Sequence, residues 1–500
     1  MLQKRADLRR WLAASAINAG TLPPPLDTGL VAIILPVVSS DLRAHISIAS
    51  WVPIVYLIII TALMPLLGQY SDRRSRKNMF ILGLLTFAVG AYLSGSSFTI
   101  YELLIYRALQ GVGAALVLAN SRALISDVFE EKGGGLAMGV HVAVIYFALL
   151  MGPLLGGVML TLTSLIGWRD VFLLNVPLCL ASALLVYIAL PRGATTRGNI
   201  VEKTDWLGGV LLLAGLFSLL GGVTLWPVHK GVVEVLVEEI RITFLGLYFR
   251  PFFYVSFPAW MMVAAGLACI ALFFLRERRK NKSQIIPLNL LSTNLRLRSA
   301  SLAILLLYTA HHGVWIVVSF YLTAVVGLDP ITAGFILGVL PLTVLAVSPV
   351  GGFLSDRYGH SEVSTLGLFI AALSLFSLSL ISPQTTLLYT AISLAMLGVG
   401  IGLFAAPNTN SALASVASEV RAQVNGLMGF MRHLGQSLSI AISAAILDYS
   451  IGYEKFLEGG VIELSAFTRG VGMNFLLGGM IAAAAAVIVV LHETAFRKRT

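Results

Sequence analysis

Long apolar runs alternate with short charged clusters along the whole chain. The runs are 11–38, 51–69, 78–97, 101–125, 137–160, 170–190, 206–226, 258–275, 299–321, 332–354, 363–381, 385–408, 425–447 and 470–491. A hydrocarbon layer of roughly 30 Å takes about 20 helical residues to cross. Each run is therefore read as a membrane-crossing helix, fourteen in all. The stretch 227–257 breaks the rhythm, mixing Glu234, Glu238, Glu239 and Arg241 with Val, Ile, Leu and Phe. Its periodicity fits an interfacial helix or a hairpin and does not choose between them.

Composition agrees. Only 12% of the residues are charged and 57% are hydrophobic, where soluble domains carry roughly 25% charged residues. The net charge of +10 is not spread as a nucleic-acid-binding stripe. It sits in clusters such as Lys4/Arg5/Arg9/Arg10, Arg73/Arg74/Arg76/Lys77 and Arg276 to Lys282, which fall on one side when every run crosses. Lys and Arg gather in cytoplasmic loops. The reading is a multi-pass cell-membrane protein with both termini cytoplasmic, a monomer in a lipid bilayer. The first run is too long for a signal-peptide core and contains an acid. Cys179 and Cys269 lie inside apolar runs, so neither a disulfide framework nor a metal site is expected.

Two fragments recur. GQYSDRR at 68–74 matches GFLSDRY at 352–358, and GVGAAL at 111–116 matches GVGIGL at 398–403, at offsets of 284 and 287 residues. Two parallel six-helix repeats are expected, a known transporter architecture. The division is 1–192 for the first bundle, 193–298 for two inserted helices with the outer segment and a linker, and 299–500 for the second bundle.

Asp27 is the outstanding acid, inside the first run. An intramembrane charge costs at least about 2.5–3.5 kcal/mol in insertion scales, so such acids mark function by default. A carboxyl there can take a proton from one side and release it to the other; the plainer reading is a hydrogen-bonding structural acid. Pro23, Pro24 and Pro25 precede it and remove three backbone donors. The helix should be kinked or unwound near 19–26, for packing or to bring Asp27 to a cavity. Arg107 lies in the fourth run with Gln110. It reads either as an ion-pair partner of Asp27 or as a side chain snorkelling to the outer interface. Gly152, Pro153, Gly156 and Gly157 place small residues on one face of the fifth helix, which lets helices approach closely.

Asp72, Arg73 and Arg76 follow the second run, and Asp356 is their counterpart in the second repeat. Asp127 and Glu130, after the fourth run, are placed to pair with Arg76. Such contacts can form in one conformation and break in another, as a gate requires. In the second half the intramembrane polar residues are His311, His312, Asn408, Arg432, His433 and Gln436. A histidine can relay protons, but more often it is a packing residue. Asp448 reads as interfacial.

These residues carry a resemblance to the major facilitator superfamily and, within it, to the fourteen-span drug:proton antiporters. GQYSDRRSRK at 68–77 resembles the loop motif after span 2, with Ser75 where Gly is usual. RALQGVGAA at 107–115 resembles the span-4 motif and GPLLGG at 152–157 the span-5 antiporter motif. LDTGLVAIILP at 26–36, GWRDVFLLNVPL at 167–178 and RHLGQSLSIAI at 432–442 are also similar. The resemblance implies an all-α fold of two six-helix bundles plus two inserted helices, rocking about a central cavity. It implies proton-driven export of a hydrophobic, often cationic, small molecule, with the proton as coupling ion and no cofactor. It assigns Asp27 a proton and substrate role, Arg107 a part in proton transfer, the span-5 glycines the bending of that helix, and Asp72 with Arg76 the gate. The further cavity acids of dication exporters are missing, which points to a neutral, monovalent or amphiphilic substrate.

The expectation is a proton-coupled multidrug-type exporter by alternating access; the alternative is an importer, a uniporter or a lipid-like amphiphile transporter of the same fold. No soluble catalytic constellation speaks for an enzyme or sensor. No G-x-x-x-x-G-K-[ST] loop speaks for ATP.

Overall fold

The computed structural model describes residues 2–129, 134–162, 167–190, 204–226, 232–237, 240–242, 247–249, 253–279, 284–417, 420–451 and 464–497. Fourteen helices are long and apolar enough to span a membrane. Numbered in chain order, spans 1–7 are Asp7–Asp41, Ile46–Asp72, Arg76–Gly95, Ile100–Val128, Leu136–Leu162, Trp168–Ala189 and Trp206–Leu225. Spans 8–14 are Ala259–Arg278, Leu295–Val325, Pro330–Tyr358, His360–Leu378, Leu387–Ala414, Gln423–Ile451 and Leu464–Thr494. Many run past the apolar stretch that announces them, because polar and charged end residues belong to the headgroup zone. Large apolar side chains such as Leu184, Ile188, Leu373 and Leu380 face outward. Water would penalise that surface, while hydrocarbon solvates it.

The packing repeats itself eight spans later. Span 3 packs on span 4 as span 11 does on span 12, and span 2 on span 4 as span 10 on span 12. The pairs 3–6, 1–6 and 1–5 recur as 11–14, 9–14 and 9–13. Across the two bundles, span 5 meets span 10 and span 13 meets span 2, which is the same contact exchanged. Spans 7 and 8 form a pair of their own, and span 7 leans on spans 2 and 13. Trp51 stacks on Phe217, and Arg276 pairs with Asp205 at 3.0 Å to tie span 8 to the start of span 7.

The described residues of the segment 227–257 form strands rather than an interfacial helix. β1 (Val232–Val237) pairs antiparallel with β4 (Phe253–Pro258), and β2 (Ile240–Ile242) with β3 (Leu247–Phe249). Valine, isoleucine and aromatic residues favour that conformation.

The first helix of each repeat is interrupted. Span 1 consists of helices Leu2–Thr21 and Pro23–Asp41, broken at Leu22. The three prolines withhold donors from the carbonyls one turn earlier. Leu22 keeps helical angles of −60° and −46°, so the helix is kinked and not unwound. Span 9 consists of Leu295–His311, Val314–Phe320 and a π-turn at Tyr321–Val325. There the Gly313 N–H donates to Ser439 Oγ of span 13 at 2.7 Å. His312, at the break, follows Asp27 by 285 residues, the offset of the repeat.

The span-5 small residues divide between two neighbours: Gly152 and Gly156, four apart, share the face toward span 1, and Gly157 faces span 10. A Cβ on Gly152 would sit 2.5 Å from Gly29 Cα of span 1. One on Gly157 would sit 3.0 Å from the Pro330 carbonyl carbon of span 10. On the same contact, Gly334 of span 10 lies against the Pro153 backbone. Successive helical positions are turned by about 100°, so 152 and 157 face different helices.

Candidate functional site

Asp27 lies on the helix after the span-1 kink and is fully enclosed. Arg107 Nη1 donates to its Oδ2 at 2.6 Å and Gln110 Nε2 to its Oδ1 at 2.9 Å. Asn175 of span 6 adds a third donor at 3.3 Å. Arg107 also donates to Gln110 Oε1 at 2.7 Å and to the Val52 carbonyl of span 2 at 3.2 Å. Its guanidinium lies 4.3 Å from the centre of the Tyr56 ring, and Tyr56 donates to the Pro24 carbonyl at 3.2 Å. Four helices of the first bundle thus hold one carboxylate. Arg107 does not snorkel; its side chain is 0% exposed. Asp27 likewise does not open onto a cavity in this conformation. Arg107 Nη2 is buried without a partner among the described residues, so the site is not fully satisfied. An unmatched donor on a buried cation is costly.

At the face that carries the chain ends, Arg76 joins two acids. It pairs with Asp72 at 2.7 Å and with Asp127 at 2.7 Å through Nη1. Ser75 caps this helix, accepting from the Asn78 N–H at 3.3 Å. Lys77 is buried and donates to the Tyr187 carbonyl at 2.9 Å and to that of Leu190. It thereby neutralises the carbonyl end of span 6. Arg73 joins neither acid, and its Nε and Nη2 have no partner among the described residues. Asp356 is exposed and forms no ion pair among the described residues. The second repeat therefore does not copy this cluster. Glu130 lies outside the described residues.

The bundles touch on the opposite face. There Gly157 meets Pro330, and His45 Nδ1 lies 3.0 Å from Asp448 Oδ1. Asp448 is 2% exposed, so it is a buried inter-bundle partner and not an interfacial acid.

Four residues of spans 4, 5, 9 and 13 lie within electrostatic reach of one another. They are Arg122 of span 4, Tyr146 of span 5, Tyr308 of span 9 and Arg432 of span 13. The Arg432 guanidinium stands 5.3 Å from the Tyr308 ring centre. His311 and His312 lie beside it; His311 Nδ1 is 2.7 Å from the Leu307 carbonyl, and its ring is 4.9 Å from that of Tyr308. Gln436 is engaged with His433 at 2.8 Å and not with Arg432. Asn408 lies elsewhere. It donates to the Ala300 carbonyl at 3.0 Å and lines a cleft inside the second bundle with Arg296, His492 and Glu493.

Sequence reading missed Arg122, Asn175, Tyr146, Tyr308 and the His45–Asp448 contact. Arg122 had a weak signal, standing near the end of an apolar run like any topology charge; span 4 in fact continues to Val128. The others are ordinary span residues until the helices are assembled.

Residues 25–440 match the family description "Major Facilitator Superfamily". The riboflavin transporter RibZ of Clostridioides difficile (strain 630) is 25% identical over 448 residues, 89% of this chain and 90% of its own. Multidrug resistance protein 3 of Bacillus subtilis (strain 168) is 26% identical over 431 residues, 85% and 77% of the two chains. A crystal structure of a bacterial homologue of the human lysosomal transporter Spinster, inward-facing and unoccupied, superposes with a TM-score of 0.68. It has 16% identity and covers 98% of each chain. With its duplicated six-span bundles and a family match over most of its length, the chain belongs to the major facilitator superfamily and is a membrane transporter, not an enzyme.

Proposed function

We propose that the protein is a proton-coupled exporter of small organic molecules from the cytoplasm, working by alternating access. The carrying observation is the sealed Asp27 carboxylate held by Arg107, Gln110 and Asn175. A proton added to Asp27 removes the charge that Arg107 answers, leaving a buried cation without a counter-ion. The bundle must then rearrange or bring in water, and that gives the two protonation states different preferred conformations. A ligand shifts a conformational equilibrium only by such differential affinity.

The terminal face, with its basic clusters, is assigned to the cytoplasm. The structure is then the inward-facing form, closed outside by the span 5–span 10 contact and His45–Asp448. Arg76 with Asp72 and Asp127 forms the cytoplasmic gate network. Relatives that include a multidrug resistance protein support export, and a relative described as a riboflavin transporter shows that the family's cargo is wider than drugs.

The test is flux of fluorescent organic compounds in proteoliposomes under an imposed pH gradient. Asp27→Asn should abolish gradient-driven flux while the protein still assembles. Retained gradient-driven flux in that variant removes Asp27 as the coupling site. Flux in the direction of the proton, or flux indifferent to the gradient, identifies a symporting importer or a uniporter.

A further inference from the structure

Three side chains donate to Asp27, and they are not equivalent. Arg107 Nη1 holds Oδ2 at 2.6 Å, while Gln110 Nε2 and Asn175 Nδ2 share Oδ1 at 2.9 Å and 3.3 Å. An arginine can only donate. The Gln110 amide is fixed at both ends, because its Oε1 accepts from Arg107 Nη1 at 2.7 Å. Turning it over would aim an NH2 group at the guanidinium. Asn175 is fixed at one end only. Its contact with Asp27 is the longest of the three, and its Oδ1 is buried with no hydrogen-bond partner among the described residues. The side chain is enclosed at the start of the helix Asn175–Ala189, on the residue itself 0% exposed.

A buried carbonyl oxygen without a donor costs free energy. An amide carries an acceptor and a donor group of nearly equal size on one carbon. Asn175 can therefore turn about its terminal bond within the space it already fills. While Asp27 is a carboxylate it accepts only, and nothing calls for that turn. A proton changes the demand. Oδ2 faces the cation, so the proton settles on Oδ1, whose neighbours are neutral amides. The new O–H must donate to something, since an unpaired buried hydroxyl is costly. The Gln110 oxygen is committed to Arg107. The Asn175 oxygen is open. The ionisable groups that act at Asp27 are Arg107 of span 4, Tyr56 of span 2 and Cys179 of span 6. Spans 5, 9 and 10 also touch this helix, and no ionisable group of theirs among the described residues acts on Asp27. Tyr56 already donates to the Pro24 carbonyl.

We propose that Asn175 reverses its hydrogen bond with the protonation state of Asp27: Nδ2 donates to the carboxylate, and after the amide turns, Oδ1 accepts from the carboxyl O–H. Asp27 takes up one proton from water at Oδ1, and Asn175 neither gains nor loses one. The amide thus gives both forms of the acid a partner and sets the pH at which the site switches. The proposal rests on the reading of Asp27 as the coupling carboxyl.

The experiment is infrared difference spectroscopy across a pH titration, on the full chain in lipid nanodiscs. Acidification should raise a protonated-carboxyl C=O band that is missing in Asp27→Asn. Asn175→Leu keeps the volume and removes the hydrogen bond. It should shift that band to higher frequency, because the O–H loses its acceptor. The ionised form keeps Arg107 and Gln110, so the protonated form is the one weakened. The midpoint of the band should therefore move toward acid by about half to one pH unit, the change that one lost hydrogen bond produces. Asn175→Gln, which retains a two-way amide, should recover part of the shift. If the leucine variant does not fold, the unaltered chain decides, made with asparagine isotope-labelled at the side-chain carbonyl. A labelled C=O band should fall in frequency on acidification, and this change should be absent in Asp27→Asn. A carboxyl band and midpoint indifferent to Asn175→Leu overturn the proposal, as does a labelled carbonyl indifferent to pH. A purely structural asparagine would give both results. A carboxyl band that persists in Asp27→Asn, or one that never appears in the unaltered chain, overturns instead the coupling role of Asp27, and this proposal with it.

Discussion

Arg107 Nη1 stands 2.6 Å from Asp27 Oδ2, with the two side chains 0% and 1% exposed. Replacing both partners of a buried pair is often tolerated, whereas removing one strands a charge at about 3–5 kcal/mol. Arg107→Ala should therefore lower the thermal stability of the solubilised protein by about that much. The double variant Asp27→Asn/Arg107→Gln should lose clearly less. Equal losses in a thermal unfolding scan would mean that the pair does not stabilise the bundle.

Gly157 and Gly334 sit where spans 5 and 10 meet, and a Cβ on Gly334 would come 3.1 Å from the Pro153 carbonyl carbon. Val at either position should cost about 1–3 kcal/mol only while that face is closed. The population should move roughly 5- to 150-fold toward the form open there. Ser47 is wholly buried on that side. A Ser47→Cys reporter, with Cys179 and Cys269 replaced by serine, should react faster with an impermeant thiol reagent in Gly157→Val. An unchanged rate argues against this contact as the outer seal.

His45 and Asp448 should behave as one latch. Both are buried and 3.0 Å apart. His45→Gln and Asp448→Asn should each accelerate labelling of the same reporter. The double variant should fall short of the summed effects by about 0.5–3 kcal/mol of coupling. Strict additivity would separate the two residues.

Arg76 differs in kind, because its partners Asp72 and Asp127 are 45% and 23% exposed. Exposed pairs are worth about 0–1 kcal/mol. Arg76→Ala should leave the unfolding temperature nearly unchanged and slow transport cycling. A large stability loss with normal flux would make the cluster a structural clamp and not a gate.

The fourteen spans, the repeat and the Asp27–Arg107 pairing were legible along the chain, for related reasons. Lipid demands about twenty consecutive apolar residues per crossing, so each span is written locally. A charge in such a run stands out because hydrocarbon leaves it few partners. The three prolines announced the break before Asp27, though Leu22 kept helical angles and made it a kink.

Other features depended on which helices become neighbours. The split of Gly152 and Gly157 between spans 1 and 10 follows from helix rotation within the bundle. Asn408 looked like Arg432 in sequence, each a polar residue in an apolar run, yet packing turned it into the second bundle's own cleft. Arg122 stood near the end of the run 101–125 like a topology charge, and only assembly of the helices brought it within electrostatic reach of residues on other spans.

The sequence alone determined that this chain lives in a bilayer, crosses it an even number of times in two repeated halves, and buries an acid in its first helix. Hydropathy and local spacing carry those properties residue by residue. Only the tertiary structure decided that Asp27 is sealed within one bundle while His45 and Asp448 meet between two. Electrostatic partnership between distant spans exists only once packing has set their separation and rotation.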